Sequence, residues 1–218
     1  FATILIFLSN SNRPDAGLYH FPFIKLLNDE KIIIGITNIN SRFGSISIIQ
    51  YLQAISNNYI TMTNGMLLPL SILPTVIYLY FFNEIKLQLR KRFTFNKIYL
   101  LYLFFSIIFF SYKMNRYSEY GNDYIPHFLV FFVLSLLLKY KKKINFSLIY
   151  FYTVFIFLNK IIFLSIFLFP LLIMKLNFKK EIFINKKFFF STFFLIFWIL
   201  KNILNSGCAF WPIKSSCF

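Results

Sequence analysis

Residues 64–92 read NGMLLPLSILPTVIYLYFFNEIKLQLRKR. From Met66 to Phe82 no side chain carries a charge, and then Lys86, Arg90, Lys91 and Arg92 follow in close succession. An apolar run of roughly 20 residues matches the ~30 Å hydrocarbon core of a bilayer. A basic cluster directly after it marks the flank that stays on the cytoplasmic side. The stretch therefore predicts a membrane-spanning helix over 64–82 that ends inside.

The same alternation continues outward from this run. Apolar segments at 98–112, 124–138, 144–158, 161–177 and 188–204 predict five more spans, several of them short enough to need Tyr, Phe and snorkelling Lys at their ends. The apolar run 1–9 reads as the outer end of a truncated helix, not a signal peptide, because no basic region precedes it. The chain starts with Phe1 inside this run, so we expect a piece of a longer protein.

The loops orient the spans. Residues 84–97 carry Lys86, Arg90, Lys91, Arg92 and Lys97; 139–143 carry Lys139, Lys141, Lys142 and Lys143; 175–187 carry Lys175, Lys179, Lys180, Lys186 and Lys187. They hold more than half of the 23 basic residues and alternate with segments holding five of the seven acids: Asp15, Asp29, Glu30, Glu119 and Asp123. Lysine-rich loops inside put 10–63, 113–123 and 205–218 outside. Residues 144–177 could form one long span or a hairpin turning at Asn159 and Lys160. A single span would reverse every later loop, so the hairpin is expected. The reading is thus an all-α, polytopic transmembrane bundle of the cytoplasmic (inner) membrane. It is a single domain over 1–218, with an extracytoplasmic loop at 10–63, six helices over 64–218 and an outer C-terminal loop.

Composition agrees. Of the 218 residues 58% are hydrophobic and only 14% charged, and mean hydropathy is +0.67. Soluble domains hold about 25% charged residues, and a chain of this size cannot hide so much apolar surface from water. The net charge of +16 would suggest nucleic acid if it lay on one soluble face. It is dispersed among the turns instead, so the expected partner is membrane lipid and not nucleic acid. The 33 Phe follow the codon bias of an AT-rich genome and are not read individually as function.

Within the long outer loop, 15–27 has apolar residues near helical spacing, and 45–55 reads as a short amphipathic helix lying in the interface. Asp15 at the exit of the first helix could act as a general base beside a lipid-linked substrate; the plainer reading makes it a helix-start acid. His20 and His127, the only histidines, could bind substrate or sit as polar residues near the headgroups. Arg42, in Asn38-Ile-Asn-Ser-Arg42-Phe-Gly44, could clamp a phosphate, or belong to an ordinary turn with Gly44 at positive φ. Arg116, Glu119, Asp123 and His127 form the densest polar cluster outside the lysine loops. Such groups at a membrane edge default to a functional hypothesis, although Arg116 paired with either acid would satisfy them structurally. Cys208 and Cys217 both fall on the expected oxidising side, where a disulfide is favoured over two free thiols. No metal-ligand spacing, phosphate loop or catalytic triad stands out, and no cofactor is expected. A transporter would need broken helices and charges near the bilayer midplane; within the spans we expect only Lys160, at the hairpin turn.

Four segments taken together carry a resemblance: Asp15-Ala-Gly-Leu-Tyr-His-Phe-Pro22, Gly35-Ile-Thr-Asn-Ile-Asn-Ser-Arg-Phe-Gly44, Ser118-Glu-Tyr-Gly-Asn-Asp-Tyr-Ile-Pro-His127, and Ser206-Gly-Cys with Trp211-Pro and Cys217-Phe. They resemble a family of bacterial polytopic membrane proteins whose layout is similar to the GT-C superfamily of glycosyltransferases. That resemblance implies an enzyme of surface polysaccharide assembly that takes a polyprenyl-phosphate-linked sugar as donor. It places Asp15 as the catalytic acid, with Arg42, Glu119, Asp123 and His127 toward the donor phosphate or the acceptor and Arg116 completing a phosphate clamp with Arg42. The acidic pair of many such loops is reduced to Asp15, since Ala16 follows it. A polysaccharide polymerase or transporter, or a non-catalytic envelope protein, are the alternatives.

Overall fold

A computed structural model describes residues 15–30, 33–90, 96–112, 120–121, 123–140, 144–176 and 185–218. Arg116, Glu119 and the apolar run 1–9 lie outside the described residues. Among the described residues there is no β-strand, and eight α-helices follow one another: α1 (Phe21–Asp29), α2 (Ile48–Ser56), α3 (Leu67–Arg90), α4 (Lys97–Tyr112), α5 (Tyr124–Tyr140), α6 (Phe146–Asn159), α7 (Leu168–Leu176) and α8 (Lys186–Ser206). Short 3₁₀ turns connect several of them, and a wide π-type turn over Ala16–His20 leads into α1.

The core forms where apolar faces of α3, α4 and α5 meet. Phe110 of α4 stacks on Phe128 of α5 at 3.7 Å between ring centroids, and Phe81 of α3 lies parallel to Phe110 at 6.4 Å. All three are fully buried. Offset and edge-on aromatic pairs of this kind add about 0.5–1.5 kcal/mol each beyond their buried area. Pro74 inside α3 has no N–H, so the carbonyl of Leu70 loses its helical partner. The hydroxyl of Tyr124 donates to that carbonyl at 2.9 Å. The start of α5 is thereby tied to a break that α3 carries in its own sequence.

Among the described residues two helices are long and apolar enough to cross a membrane, one covering Thr63–Arg90 and the other Lys186–Ser206. At 1.5 Å per residue α8 is about 31 Å long. It buries little of itself: Phe189, Phe193, Ile196, Phe197 and Leu200 are all exposed, and its described buried residues are Ser191 and Asn205. Monomeric soluble proteins rarely leave apolar surface of that extent in water. α4, α5 and α6 are also apolar but shorter.

One boundary differs from the sequence reading, while the hairpin turn at Asn159 and Lys160 stands where it was expected. α3 continues past Phe82 through Arg90, so the first half of the basic loop 84–97 is helical. Leu, Gln, Lys and Arg there are good helix formers, and Glu84, buried by this extension, accepts a 2.7 Å hydrogen bond from Lys139 Nζ and a 3.2 Å one from Tyr99 OH. The chain breaks at Lys160 and turns back through Ile161–Phe167, which brings Phe167 against both Tyr150 and Phe157 of α6. Residues 150 and 167 of one continuous helix would stand about 25 Å apart, so the contact describes a reversal.

Candidate functional site

The segment before α3 folds around one buried polar seam. Ser47 caps α2: its hydroxyl accepts the N–H of Ile49 at 3.2 Å, while Gln50 Oε1 accepts the N–H of Ser47 at 2.9 Å. This reciprocal arrangement is a capping box, and it fixes which way the Gln50 amide points. Its Nε2 faces Nδ1 of His20 at 3.5 Å. On the other side, the Ser47 hydroxyl donates to Asn159 Oδ1 at 2.8 Å, across 112 residues of chain. His20, Gln50, Ser47 and Asn159 are all buried. A satisfied polar chain of this kind holds its members in one geometry.

Charged groups flank the seam on both sides. Asp15 stands at the start of the turn that carries His20, where the plainer reading put it, but its side chain makes no capping hydrogen bond. Its Oδ1 lies 3.8 Å from Arg42 Nη1, and the Arg42 guanidinium sits 5.2 Å from the Tyr19 ring centre. Arg42 is positioned by a 3₁₀ turn over Ser41–Gly44 whose start is capped by Asn40 Oδ1, accepting the Arg42 N–H at 3.0 Å. On the other flank Asp123 Oδ1 pairs with Lys160 Nζ at 2.5 Å. His127, one turn into α5, packs edge-on against Phe163 at 5.1 Å.

Burial holds the His20 imidazole below its ordinary value, against the pull of Asp123 and Asp15 and with some help from Lys160. Burial likewise raises the Tyr19 phenol, and Asp15 and Asp123 add to that rise. Both carboxylates therefore act on the same two side chains. Asp15, His20, Arg42, Asp123 and His127 are gathered at one end of the bundle, with Lys160 among them. Arg42 pairs with Asp15, and Asp123 pairs with Lys160, so among the described residues the site is two ion pairs around a neutral imidazole.

The C-terminal segment closes over the same end. The last carbonyls of α8 have no helical donors, and the segment between α1 and α2 supplies them: Gly35 N–H donates to Leu204 O at 2.9 Å and the Thr37 hydroxyl to Asn205 O at 3.4 Å. Cys208 and Cys217 are joined by a disulfide, and Trp211 in the loop between them lies on Gly44. A Cβ on Gly44 would meet the indole at 2.6 Å. Gly44 is not at positive φ, in contrast to the sequence reading; the described glycines in that region are Gly35 and Gly207. The requirement for glycine at 44 comes from Trp211, 167 residues away along the chain, together with the Thr37 methyl at 2.7 Å.

The sequence reading passed over Ser47, Gln50, Asn159 and Lys160 as site residues. Ser47-Ile-Ile-Gln50 was the available signal, a capping-box spacing. It also passed over Lys201, which lies inside the span 188–204. Lys201 Nζ sits 3.2 Å from the Trp198 ring centre and 5.3 Å from that of Tyr51, and is buried with no hydrogen-bond partner among the described residues. At the opposite end of the bundle, Glu84, Lys139, Tyr99 and Tyr80 form a second buried cluster.

Among the described residues no group of three or more His, Cys, Asp or Glu could hold a metal ion. No curated protein matches the chain, and no solved structure does. A family model described as a domain of unknown function, DUF8201, matches residues 1–218, and the chain belongs to that family.

Proposed function

We propose that this chain is a multi-pass protein of the cytoplasmic membrane that transfers a sugar, at the outer face, from a polyprenyl-phosphate-linked donor. The membrane part is supported by the exposed apolar faces of α8 and α4, which lipid would cover. Exposed Lys97, at the inner end of the shorter α4, extends that span toward the headgroups by snorkelling.

One observation carries the transferase reading. Two carboxylates, two cations and a neutral imidazole converge at the end of the bundle opposite Glu84 and Lys139, where the donor's phosphate would lie at headgroup level. Asp15 is exposed and within reach of an acceptor hydroxyl. In the reaction the acceptor oxygen forms a bond to the anomeric carbon, and Asp15 takes the hydroxyl proton. The bond from the anomeric carbon to the phosphate oxygen breaks, its electron pair leaves with polyprenyl phosphate, and Arg42 balances the developing charge. His20, accepting at Nδ1, carries its proton on Nε2 and can donate from there.

The test is transfer by the full-length protein in nanodiscs offered a panel of polyprenyl-phosphate sugars. Release of polyprenyl phosphate that is lost in Asp15→Asn supports the reading. Turnover by Asp15→Asn at the native rate removes Asp15 from the mechanism.

A further inference from the structure

Beside the ion pairs lies a cavity of about 220 Å³. Its wall includes Trp198, Trp211, Asn159, Asn202, Lys160 and the backbone of Gly44. We infer that this cavity is the seat of a single neutral sugar ring, a site that deepens the transferase reading and rests on it for what is then done with the sugar.

The chemistry of the wall selects this occupant. The two indoles offer broad apolar faces of the kind that cover the C–H face of a pyranose, and they are rigid. Trp198 is held by Tyr51, edge-on at 5.9 Å, and by Lys201 Nζ at 3.2 Å. Trp211 is held on Gly44 by the disulfide-closed loop. The two amides supply both donors and acceptors, as hydroxyl groups require. Asn159 commits one hydrogen to Phe155 O and one lone pair to Ser47, and Asn202 commits one hydrogen to Ala209 O. Each amide has four hydrogen-bonding positions, so capacity remains on both.

Charge narrows the class further. The one ionisable group in the wall is Lys160, and Asp123 already pairs with it. The cavity is therefore close to electrically neutral and suits a hexose or an N-acetylhexosamine, not an acidic sugar or a bare phosphate. Its volume is below the ~300–1,000 Å³ of drug-sized ligand pockets, which fits one ring and not a chain of them. Its position also connects it to the site: Lys160 joins it to Asp123, and Asn159 joins it through Ser47 and Gln50 to His20.

Both tryptophans of the protein line this cavity, so indole emission reports its occupancy directly. The experiment titrates full-length protein in nanodiscs with methyl glycosides of neutral hexoses and N-acetylhexosamines, with glycerol, glucuronate and inorganic phosphate for comparison. A saturable emission change with a neutral glycoside is expected. Asn202→Leu and Ser45→Phe, a second variant that crowds the exposed rim, each raise the half-saturating concentration about tenfold or more, the effect of ~1.4 kcal/mol. No saturable change with any neutral glycoside, a change that survives both cavity variants, or tighter binding of glucuronate or phosphate overturns the inference. Transfer without a sugar-dependent emission change removes the cavity and leaves the transferase standing. Sugar binding without transfer does the reverse.

Discussion

Gln50 Nε2 stands 3.5 Å from His20 Nδ1, turned there because the other end of the same amide accepts the Ser47 N–H. An amide nitrogen only donates, so the facing ring nitrogen must accept, and His20 is the neutral tautomer with its proton on Nε2. Protonation of Nδ1 would break this contact within a buried seam.

The pH dependence follows from that. Burial lowers the folded-state value of His20 beneath its ordinary 6.5. On acidification below about pH 6.5 the unfolded chain takes up a proton that the folded one resists, and stability falls. Above that pH this contribution is flat. Thermal midpoints of the detergent-solubilised protein from about pH 7.5 down to about pH 5 are expected to decline, with a shallower decline in His20→Gln. An equally steep decline in that variant would show that His20 is not the group responsible.

Ser47→Ala removes the cap of α2 and leaves the buried Asn159 carbonyl oxygen without its donor. Loss of a cap costs about 0.5–2 kcal/mol and an unsatisfied buried group about 1–3 kcal/mol. The two share one hydroxyl, so about 2 kcal/mol of destabilisation is expected in denaturant unfolding. Ser47→Thr should recover most of it. A neutral Ser47→Ala would mean that the seam does not hold α2 to α6.

Asp15→Asn separates structure from chemistry. The Asp15–Arg42 pair is 3.8 Å long and more than half exposed on both sides, and exposed pairs contribute about 0–1 kcal/mol. The variant should unfold within about 0.5 kcal/mol of the native protein while transfer is lost. A large stability change would make Asp15 a structural residue.

At the other end, Lys139→Met strands the Glu84 carboxylate, which is buried and bonded to Lys139 and Tyr99. Removing one partner of a buried pair typically costs about 3–5 kcal/mol; Lys139 is partly exposed, so about 2–3 kcal/mol is expected. The double variant Glu84→Gln with Lys139→Met should recover much of this. A loss in the double variant equal to the sum of the two singles would show that the residues do not interact.

The helices were largely legible in the sequence because apolar runs and basic turns are local signals. So were the approximate place of α2 and the break at Lys160. The seam was not legible: His20 meets Gln50 across 30 residues and Ser47 meets Asn159 across 112, and no periodicity encodes such a pairing. Glu84 looked like part of a solvated basic loop until α5 brought Lys139 to it. Lys201 was hidden for the opposite reason, as the one charged residue after Lys187 in a helix rich in Phe, Ile and Leu. Gly44 illustrates the same limit, since a local turn rule explains a glycine there without reference to Trp211.

The account depends most on the two ends of the bundle lying on opposite sides of a membrane. Asn58→Cys, in the exposed outer loop, and Lys97→Cys, at the start of α4, test this when each is introduced singly into a Cys208→Ser, Cys217→Ser background. Intact cells are exposed to a membrane-impermeant maleimide. Labelling of Asn58→Cys at once, and of Lys97→Cys only after permeabilisation, is the expected result. Labelling of both from the same face of sealed cells would contradict the topology and, with it, the outward-facing site.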